Sequence, residues 1–219
     1  MRHELFQTDA RVAVNDGPIE LAIIIPTFNE SANIERMVES LALALAGIHW
    51  EAVFVDDNSP DGTADLVRSI AVENSNVRIV HRIGRRGLST AVIEGMLATA
   101  APILAVIDGD MQHDEAILPA LYAAVASGRA DIAVGTRYGE GGSVGDWDES
   151  RVLGSRIATK IGQLVLKVPL SDPMSGFFLL SRETLMRAIP RISGVGFKIL
   201  LDIVSSLPQT PRIAEVPYT

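Results

Sequence analysis

At 219 residues, with 47% apolar and 21% charged residues, the chain has the size of one folded domain with a sizeable core and is too apolar to be disordered. A net charge of −8 argues against wholesale nucleic-acid binding, which needs a basic field. The absence of cysteine removes disulfides, thiolate metal sites and thiol nucleophiles, and it fits a reducing compartment.

Residues 1–20 read as an N-terminal extension: MRHELFQTDARVAVNDGP mixes charges with short apolar pieces and lacks the apolar core of a signal peptide. Strand-like and helix-like patterns then alternate. Leu21–Pro26 is a buried strand, and Glu30–Ala46 is a helix that Asn29 or Ser31 would cap. Glu51–Val55 is a second strand, and Asp61–Glu73 a helix entered through the turn-rich SPDGT. Val77–His81 is a short strand, Leu88–Ala100 a helix, Ile103–Ile107 a fourth strand, Ala116–Ala126 a helix and Ile132–Gly135 a fifth strand. This rhythm predicts an α/β domain with a mostly parallel sheet, in which ligands bind beyond the carboxyl ends of the strands.

After Arg137 the rhythm changes. Tyr138–Ser150 is glycine-rich and reads as a long loop, of the kind that often forms a functional lid. Ser155–Val168 reads as a helix with Ile157, Ile161, Leu164 and Val165 on one face and Arg156, Lys160, Gln163 and Lys167 beside it. That pattern suits a helix on an anionic membrane surface, and more commonly a helix packed on the sheet with a solvated basic edge. SDPMSGFFLLS follows as loop and strand, then helices near Arg182–Ala188 and in GFKILLDIVSSLP, and RIAEVPYT closes as a strand. No apolar run reaches the roughly 18–20 residues that span a bilayer, so the chain reads as soluble or peripheral. The final strand, ending without a tail, suggests a fragment of a longer protein.

Polar clusters follow four of the strands: TFNE, DDNSPDGT, DGDMQHDE and GTRY. Their repeated placement on one rim predicts a single site built from strand-end loops. In DGD, Asp108 and Asp110 offer hard oxygen ligands for Mg²⁺ or Mn²⁺, and Gln112 could complete the shell; such sites commonly share the metal with a substrate diphosphate. A bare D-x-D is common in acidic loops, and its position after a buried strand is what raises it. His113 reads as a solvent-facing loop residue. Asp57 suits either a contact to a base or ribose or a turn, whereas Asp61 is better read as a cap for the next helix. Arg137 and Arg151 flank the glycine-rich loop; they suit phosphate binding, but surface pairing with Glu140, Asp148 or Glu149 is the more ordinary reading of the residues alone.

Together PTFNE (26–30), DDNSPDGT (56–63), GLSTA (87–91), DGDMQHDE (108–115), GTRY (135–138), SDPMSGFFLL (171–180) and EVPYT (215–219) resemble the family 2 inverting glycosyltransferases of the GT-A fold, and most of all their dolichol- or polyprenol-phosphate mannose synthase branch. The resemblance covers nearly everything from Leu21 to Thr219. It implies a Rossmann-like GT-A catalytic domain over 21–219, followed in many relatives by membrane segments. It implies that Pro26, Phe28, Glu30, Val55 and Asp57 bind the nucleotide end of a donor, and that Asp108, Gly109, Asp110 and Gln112 bind its diphosphate and a Mg²⁺ or Mn²⁺ ion. Arg137 and Arg151 would hold the acceptor's lipid phosphate, against the reading of those arginines alone, and Asp172 would join Asp110 as a catalytic acid. Three positions depart from the family pattern: Phe28 stands where tyrosine is frequent, Gly109 where alanine is usual, and Phe178 where eukaryotic relatives often have arginine. The family pattern also continues past EVPYT with basic residues near the site.

The implied reaction is transfer of a hexose, mannose from GDP-mannose above all, to a polyprenyl or dolichyl phosphate at the cytoplasmic side of a membrane. A UDP-sugar such as UDP-glucose is the nearest alternative donor. A non-catalytic nucleotide-sugar-binding module is the alternative of a different class; the acids and both arginines weigh against it. A dinucleotide-dependent oxidoreductase fails for want of G-x-G-x-x-G after the first strand.

Overall fold

The computed structural model describes residues 17–137, 170–196 and 198–218. The glycine-rich loop Tyr138–Ser150, Arg151, the helix expected at Ser155–Val168 and most of the N-terminal extension lie outside the described residues.

Four βα steps and a fifth strand account for the first half of the described fold. β1 (Leu21–Thr27), β2 (Trp50–Asp56), β3 (Val77–His81), β4 (Ile103–Val106) and β5 (Ile132–Thr136) alternate with α1 (Ile34–Ala44), α2 (Thr63–Glu73), α3 (Leu88–Leu97) and α4 (Leu118–Ala126). β6 (Phe178–Ser181), α5 (Arg182–Ala188), α6 (Ile199–Ser206) and β7 (Ile213–Pro217) follow. The seven strands form one sheet in the order β3-β2-β1-β4-β6-β5-β7. β1 pairs in parallel with β2 and β4, β2 with β3, and β5 with β7; β6 alone runs antiparallel, between β4 and β5. The expected mostly parallel α/β sheet is therefore present, with one reversed strand in its interior.

The central strands are apolar on both faces, and each face has its own helical cover. Leu21, Ile23 and Ile25 point with Phe54 and Ala105 toward α1, α2 and α4, through Met37, Leu41, Val67 and Leu121. Ala22 and Ile24 point with Val53, Val55 and Leu104 toward α3, α5 and α6, through Val92, Met96, Leu185 and Ile203. A period of two in strands buried on both sides gives the near-continuous apolar runs seen in LAIIIP and EAVFV. Gly95 lets α3 seat directly on the sheet: a Cβ there would fall 2.5 Å from Ile24 Cγ2 and 2.8 Å from Val55 Cγ2.

Helix starts depart from the sequence expectation at one instructive place. Residues Ser31–Asn33 form a 3₁₀ turn and α1 begins at Ile34, without a side-chain cap from Asn29 or Ser31. The cap comes instead from the next loop. Asp61 Oδ2 accepts from Ser31 N at 3.1 Å while its Oδ1 accepts from Thr63 N at 3.1 Å and Thr63 Oγ1 at 2.6 Å. One carboxylate thus serves two helix entries, which extends the capping role expected of it. Burial opposes ionisation of Asp61, but these hydrogen bonds outweigh it and hold its pKa at about 2, below the ordinary 3.8. Because the folded value is depressed, the stabilisation is fully present above about pH 4 and is lost as pH falls toward 2. Asp61→Asn is therefore expected to flatten the acid limb of a stability-versus-pH curve measured by denaturant titration. An unchanged limb would show that the two caps contribute nothing.

Candidate functional site

The rim at the carboxyl ends of β1, β2 and β4 is built on strained backbone. Asn29, Asn58 and Met111, one in each loop, have φ of 62°, 59° and 60°, a left-handed conformation that non-glycine residues rarely hold unless the surroundings impose it. The surroundings do so by stitching the first two loops together. Asn29 N donates to Ser59 Oγ at 2.9 Å, Glu30 N to Thr63 Oγ1 at 3.1 Å, and Asp57 N to Thr27 O at 3.1 Å. Asp56 is a turn residue: its carboxylate accepts from Ser59 N, Ser59 Oγ and Thr27 Oγ1.

Asp57 is buried and anchors the third loop to the second. Its Oδ1 accepts from Arg82 Nη1 at 2.7 Å and its Oδ2 from Gly87 N at 2.7 Å. Arg82, 1% exposed, also donates to Gly87 O at 3.1 Å and Thr90 Oγ1 at 2.6 Å. Its Nε lies 3.4 Å from Glu94 Oε1 but is not aligned for a hydrogen bond. Sequence reasoning missed Arg82; the only signal for it was a cation directly after a strand, in HRIGRRG. Above this network Asp57, Asn58, Gly84, Arg85 and Arg86 line a cavity of about 330 Å³. Phe28, 42% exposed, carries the Arg86 guanidinium 4.3 Å from its ring centroid, so a flat cationic–aromatic pair stands beside the cavity. Val55, expected at the nucleotide, has a fully buried side chain; only its main chain could face a ligand. Pro26 is half-buried and Glu30 accepts from Asn33 Nδ2 at 2.7 Å.

β4 delivers Asp108, Gly109, Asp110 and Gln112. Asp108 keeps 37% of its side chain exposed, Asp110 is exposed, and Asp110 Oδ1 accepts from Gln112 N at 3.1 Å. Gly109 is buried, and a Cβ there would make ordinary contacts of 3.4–3.5 Å with Thr27, Glu30 and Pro26, so the alanine usual in the family would fit. Across the antiparallel seam, Gly176 faces Asp108 so closely that a Cβ would sit 2.3 Å from Asp108 Oδ2. Among the described residues no three His, Cys, Asp or Glu side chains gather as a metal cage. Two carboxylates beside an amide form an open oxygen-donor set, which suits a hard divalent cation that completes its shell with substrate and water.

β5 ends at Arg137, whose Nη2 donates to Gln112 O at 2.5 Å and whose Nε donates to Tyr218 Oη at 3.2 Å. The candidate acceptor arginine is therefore tied to the main chain of the candidate metal motif. His113 is not the solvent-facing residue the sequence suggests. Its side chain is 10% exposed, its ring lies 5.2 Å from Phe177 and 5.9 Å from Tyr218, and its Nδ1 is 2.8 Å from Tyr218 Oη. Tyr218, which follows β7, went unremarked within EVPYT; only the fold shows why an aromatic stands there. Asp172 sits in the loop entering β6, and its Oδ1 accepts from Met174 N at 3.0 Å. Burial raises the Asp172 carboxyl above its ordinary range; the Met174 N–H and the Arg137 charge pull it back, and Glu215 adds to the rise. The structure brings Asp108, His113, Arg137, Asp172 and Tyr218 together. Arg151 lies outside the described residues.

The sequence pattern described as "Glycosyl transferase family 2" matches residues 22–188, every βα step of the rim included. The chain belongs to glycosyl transferase family 2. Among family 2 relatives it is 36% identical over 203 residues to a dolichol-phosphate mannosyltransferase of Pyrococcus furiosus, covering 92% of this chain and 56% of that protein. It is 36% identical over 213 residues to a dolichol-phosphate mannosyltransferase of Saccharomyces cerevisiae, covering 92% of this chain and 77% of that protein. The chain thus spans little more than half the length of the archaeal relative. A crystal structure of glucosyl-3-phosphoglycerate synthase from Mycobacterium tuberculosis, in complex with Mn²⁺, UDP and phosphoglyceric acid, shares the fold with a TM-score of 0.66 at 21% identity, covering 90% of this chain and 68% of that one. That likeness shows a shared fold.

Proposed function

We propose that this family 2 domain transfers a mannosyl group from GDP-mannose to the phosphate of a polyprenol or dolichol, with inversion at the anomeric carbon. The relatives' dolichol-phosphate mannosyltransferase names support the reaction. The observation that carries it is the contact between Arg137 and Gln112: an arginine suited to an acceptor phosphate is hydrogen-bonded to the loop that bears Asp108 and Asp110. A binding module would have no use for that juxtaposition.

In this reading the cavity beside Asp57, with Phe28 and Arg86, takes the nucleotide end of the donor. Asp108, Asp110 and Gln112 would hold a Mg²⁺ or Mn²⁺ ion at the donor diphosphate. When bound, the ion acts as a Lewis acid that withdraws charge from the leaving diphosphate. Arg137, with Arg151, holds the acceptor phosphate by bidentate, charge-assisted hydrogen bonds and so presents its oxygen to the anomeric carbon. That oxygen forms the new bond from the face opposite the diphosphate, whose bond to the same carbon breaks, giving the inverted product and GDP. A phosphate monoester with a second pKa of about 6 is already mostly ionised near neutrality. Asp172, raised by burial, accepts the proton from acceptor molecules that still carry it. We further propose that, acting on a lipid, it works at a membrane surface, on the cytoplasmic side. Among the described residues no helix is long and apolar enough to cross a membrane.

Purified protein given GDP-mannose, a short polyprenyl phosphate and Mn²⁺ is expected to form an alkali-stable mannosyl lipid whose NMR shows the β-anomer, and to stop when EDTA is added. Transfer from UDP-glucose but not from GDP-mannose would replace the donor, and hydrolysis without lipid product would replace the acceptor. Arg137→Ala is expected to raise the KM for lipid phosphate about tenfold to a hundredfold, the effect of losing a charged hydrogen bond. The donor's dissociation constant, read by calorimetry, should stay unchanged. A weakened donor with normal acceptor kinetics would move Arg137 to the other substrate.

A further inference from the structure

Tyr218 Oη is the junction between the two halves of the site. Arg137 Nε donates to it at 3.2 Å, and a guanidinium can only donate, so the phenol oxygen is the acceptor there. Its own proton is then free for His113 Nδ1 at 2.8 Å. That assignment leaves His113 with its proton on Nε2, which faces Asp108 Oδ2 at 3.4 Å. The rings pack against one another along the chain of contacts: His113 packs on Phe177 and on Tyr218, Phe177 lies 5.8 Å from Tyr218, and the Arg137 guanidinium sits 5.5 Å from the Tyr218 ring centroid. Tyr218 is 6% exposed, so the junction is closed to bulk water. Three separate strand ends contribute: the loop after β4 gives Asp108 and His113, that after β5 gives Arg137, and that after β7 gives Tyr218.

We propose that Tyr218 and His113 are positioning residues that couple donor-metal binding to acceptor-phosphate binding. Asp108, drawn to the metal, shifts the His113 ring, and Tyr218 passes that orientation to Arg137; an acceptor phosphate on Arg137 acts in reverse. The inference rests on the function proposed above for Asp108 and Arg137. Coupling of this kind is reciprocal, so each ligand tightens the other by the same factor. Neither residue touches the reacting atoms.

The test measures Mn²⁺ binding by electron paramagnetic resonance in the presence of GDP, with and without a short polyprenyl phosphate. In the unaltered protein the lipid phosphate is expected to tighten Mn²⁺ on the order of fivefold or more. Tyr218→Phe keeps the ring and removes the junction oxygen. It should bring that ratio close to one and raise the acceptor KM more than it lowers kcat, with thermal stability little changed. His113→Phe, which keeps a ring against Phe177, should abolish the same coupling, and the double variant should be no worse than either single one, because both act through one chain of contacts. Wild-type coupling in Tyr218→Phe, or additive losses in the double variant, would overturn the relay. If the unaltered protein transfers sugar to lipid phosphate yet shows no coupling, the relay falls while the proposed function stands. If it transfers nothing to any lipid phosphate, both fall.

Discussion

Asp110→Ala is expected to abolish metal-dependent transfer, and Gly176→Ala to lose most of it while leaving every proposed ligand in the chain. For Asp110 the loss is on the order of 10³-fold or more, since metal stabilisation of a leaving group contributes several kcal/mol and each 1.36 kcal/mol is tenfold. The case of Gly176 is geometric. Its added Cβ would stand 2.3 Å from Asp108 Oδ2 and 2.8 Å from Asp108 Cγ, distances that no real contact tolerates. Gly176 enters β6, which is locked between β4 and β5, so the carboxylate moves and the backbone stays. A misplacement of about 1 Å in a positioned group costs about 10²-fold. Initial rates across a Mn²⁺ titration should therefore show half-maximal activity shifted to higher Mn²⁺ for Gly176→Ala, with little change in melting temperature. A titration curve matching the unaltered protein would mean that Asp108 does not work from the position it holds here.

Arg82→Met is expected to be the most destabilising single change in the donor half. Arg82 is 1% exposed and Asp57 8% exposed, and each is the other's principal charge partner. Removing one member of a buried pair leaves an uncompensated charge and costs about 3–5 kcal/mol. In a domain of this size that corresponds to a fall in Tm of roughly 6–20 °C. Donor affinity should fall too, because Asp57 would lose the contact that aims it at the cavity. Adding Asp57→Asn should restore part of the stability without restoring donor binding, since the lone buried charge is then gone. Thermal melts of the three variants, with calorimetry of donor binding, check both halves. A single variant as stable as the parent would show that water reaches Asp57 and screens it.

Local patterns made the first five strands and four helices readable. LAIIIP, EAVFV and VRIVH are apolar runs bounded by turn residues, and each is followed by a helix that packs back on its own neighbourhood. The reversed insertion of β6 was not readable, because FLLS is equally apolar in either direction and only its neighbours β4 and β5 fix its sense. The entry to α1 was misplaced for a similar reason: its cap, Asp61, belongs to another loop. In the candidate site, Asp108 and Asp110 stood out because strand ends mark where ligands gather in such sheets, whereas Asp57 stayed evenly balanced and Arg137 was raised above surface pairing only by the family resemblance. His113 did not stand out. Its burial is produced by Phe177 and by Tyr218, 105 residues away, and nothing in QHDE announces them. Arg82 was overlooked because a cation in a glycine-containing turn usually faces solvent, and its enclosure depends on Asp57 and Thr90.

The direction of β6 also divides the rim. It splits the rim into two groups of loops: those after β1, β2 and β4 carry Asp57, Asp108 and Asp110, the residues proposed for the donor, whereas β5, the entry to β6 and β7 carry Arg137, Asp172 and Tyr218. A change in the loops of the second group leaves the strands that carry the first in place, except where the two groups touch. The toll falls at the seam, where position 176 must stay without a side chain for as long as position 108 remains an acid.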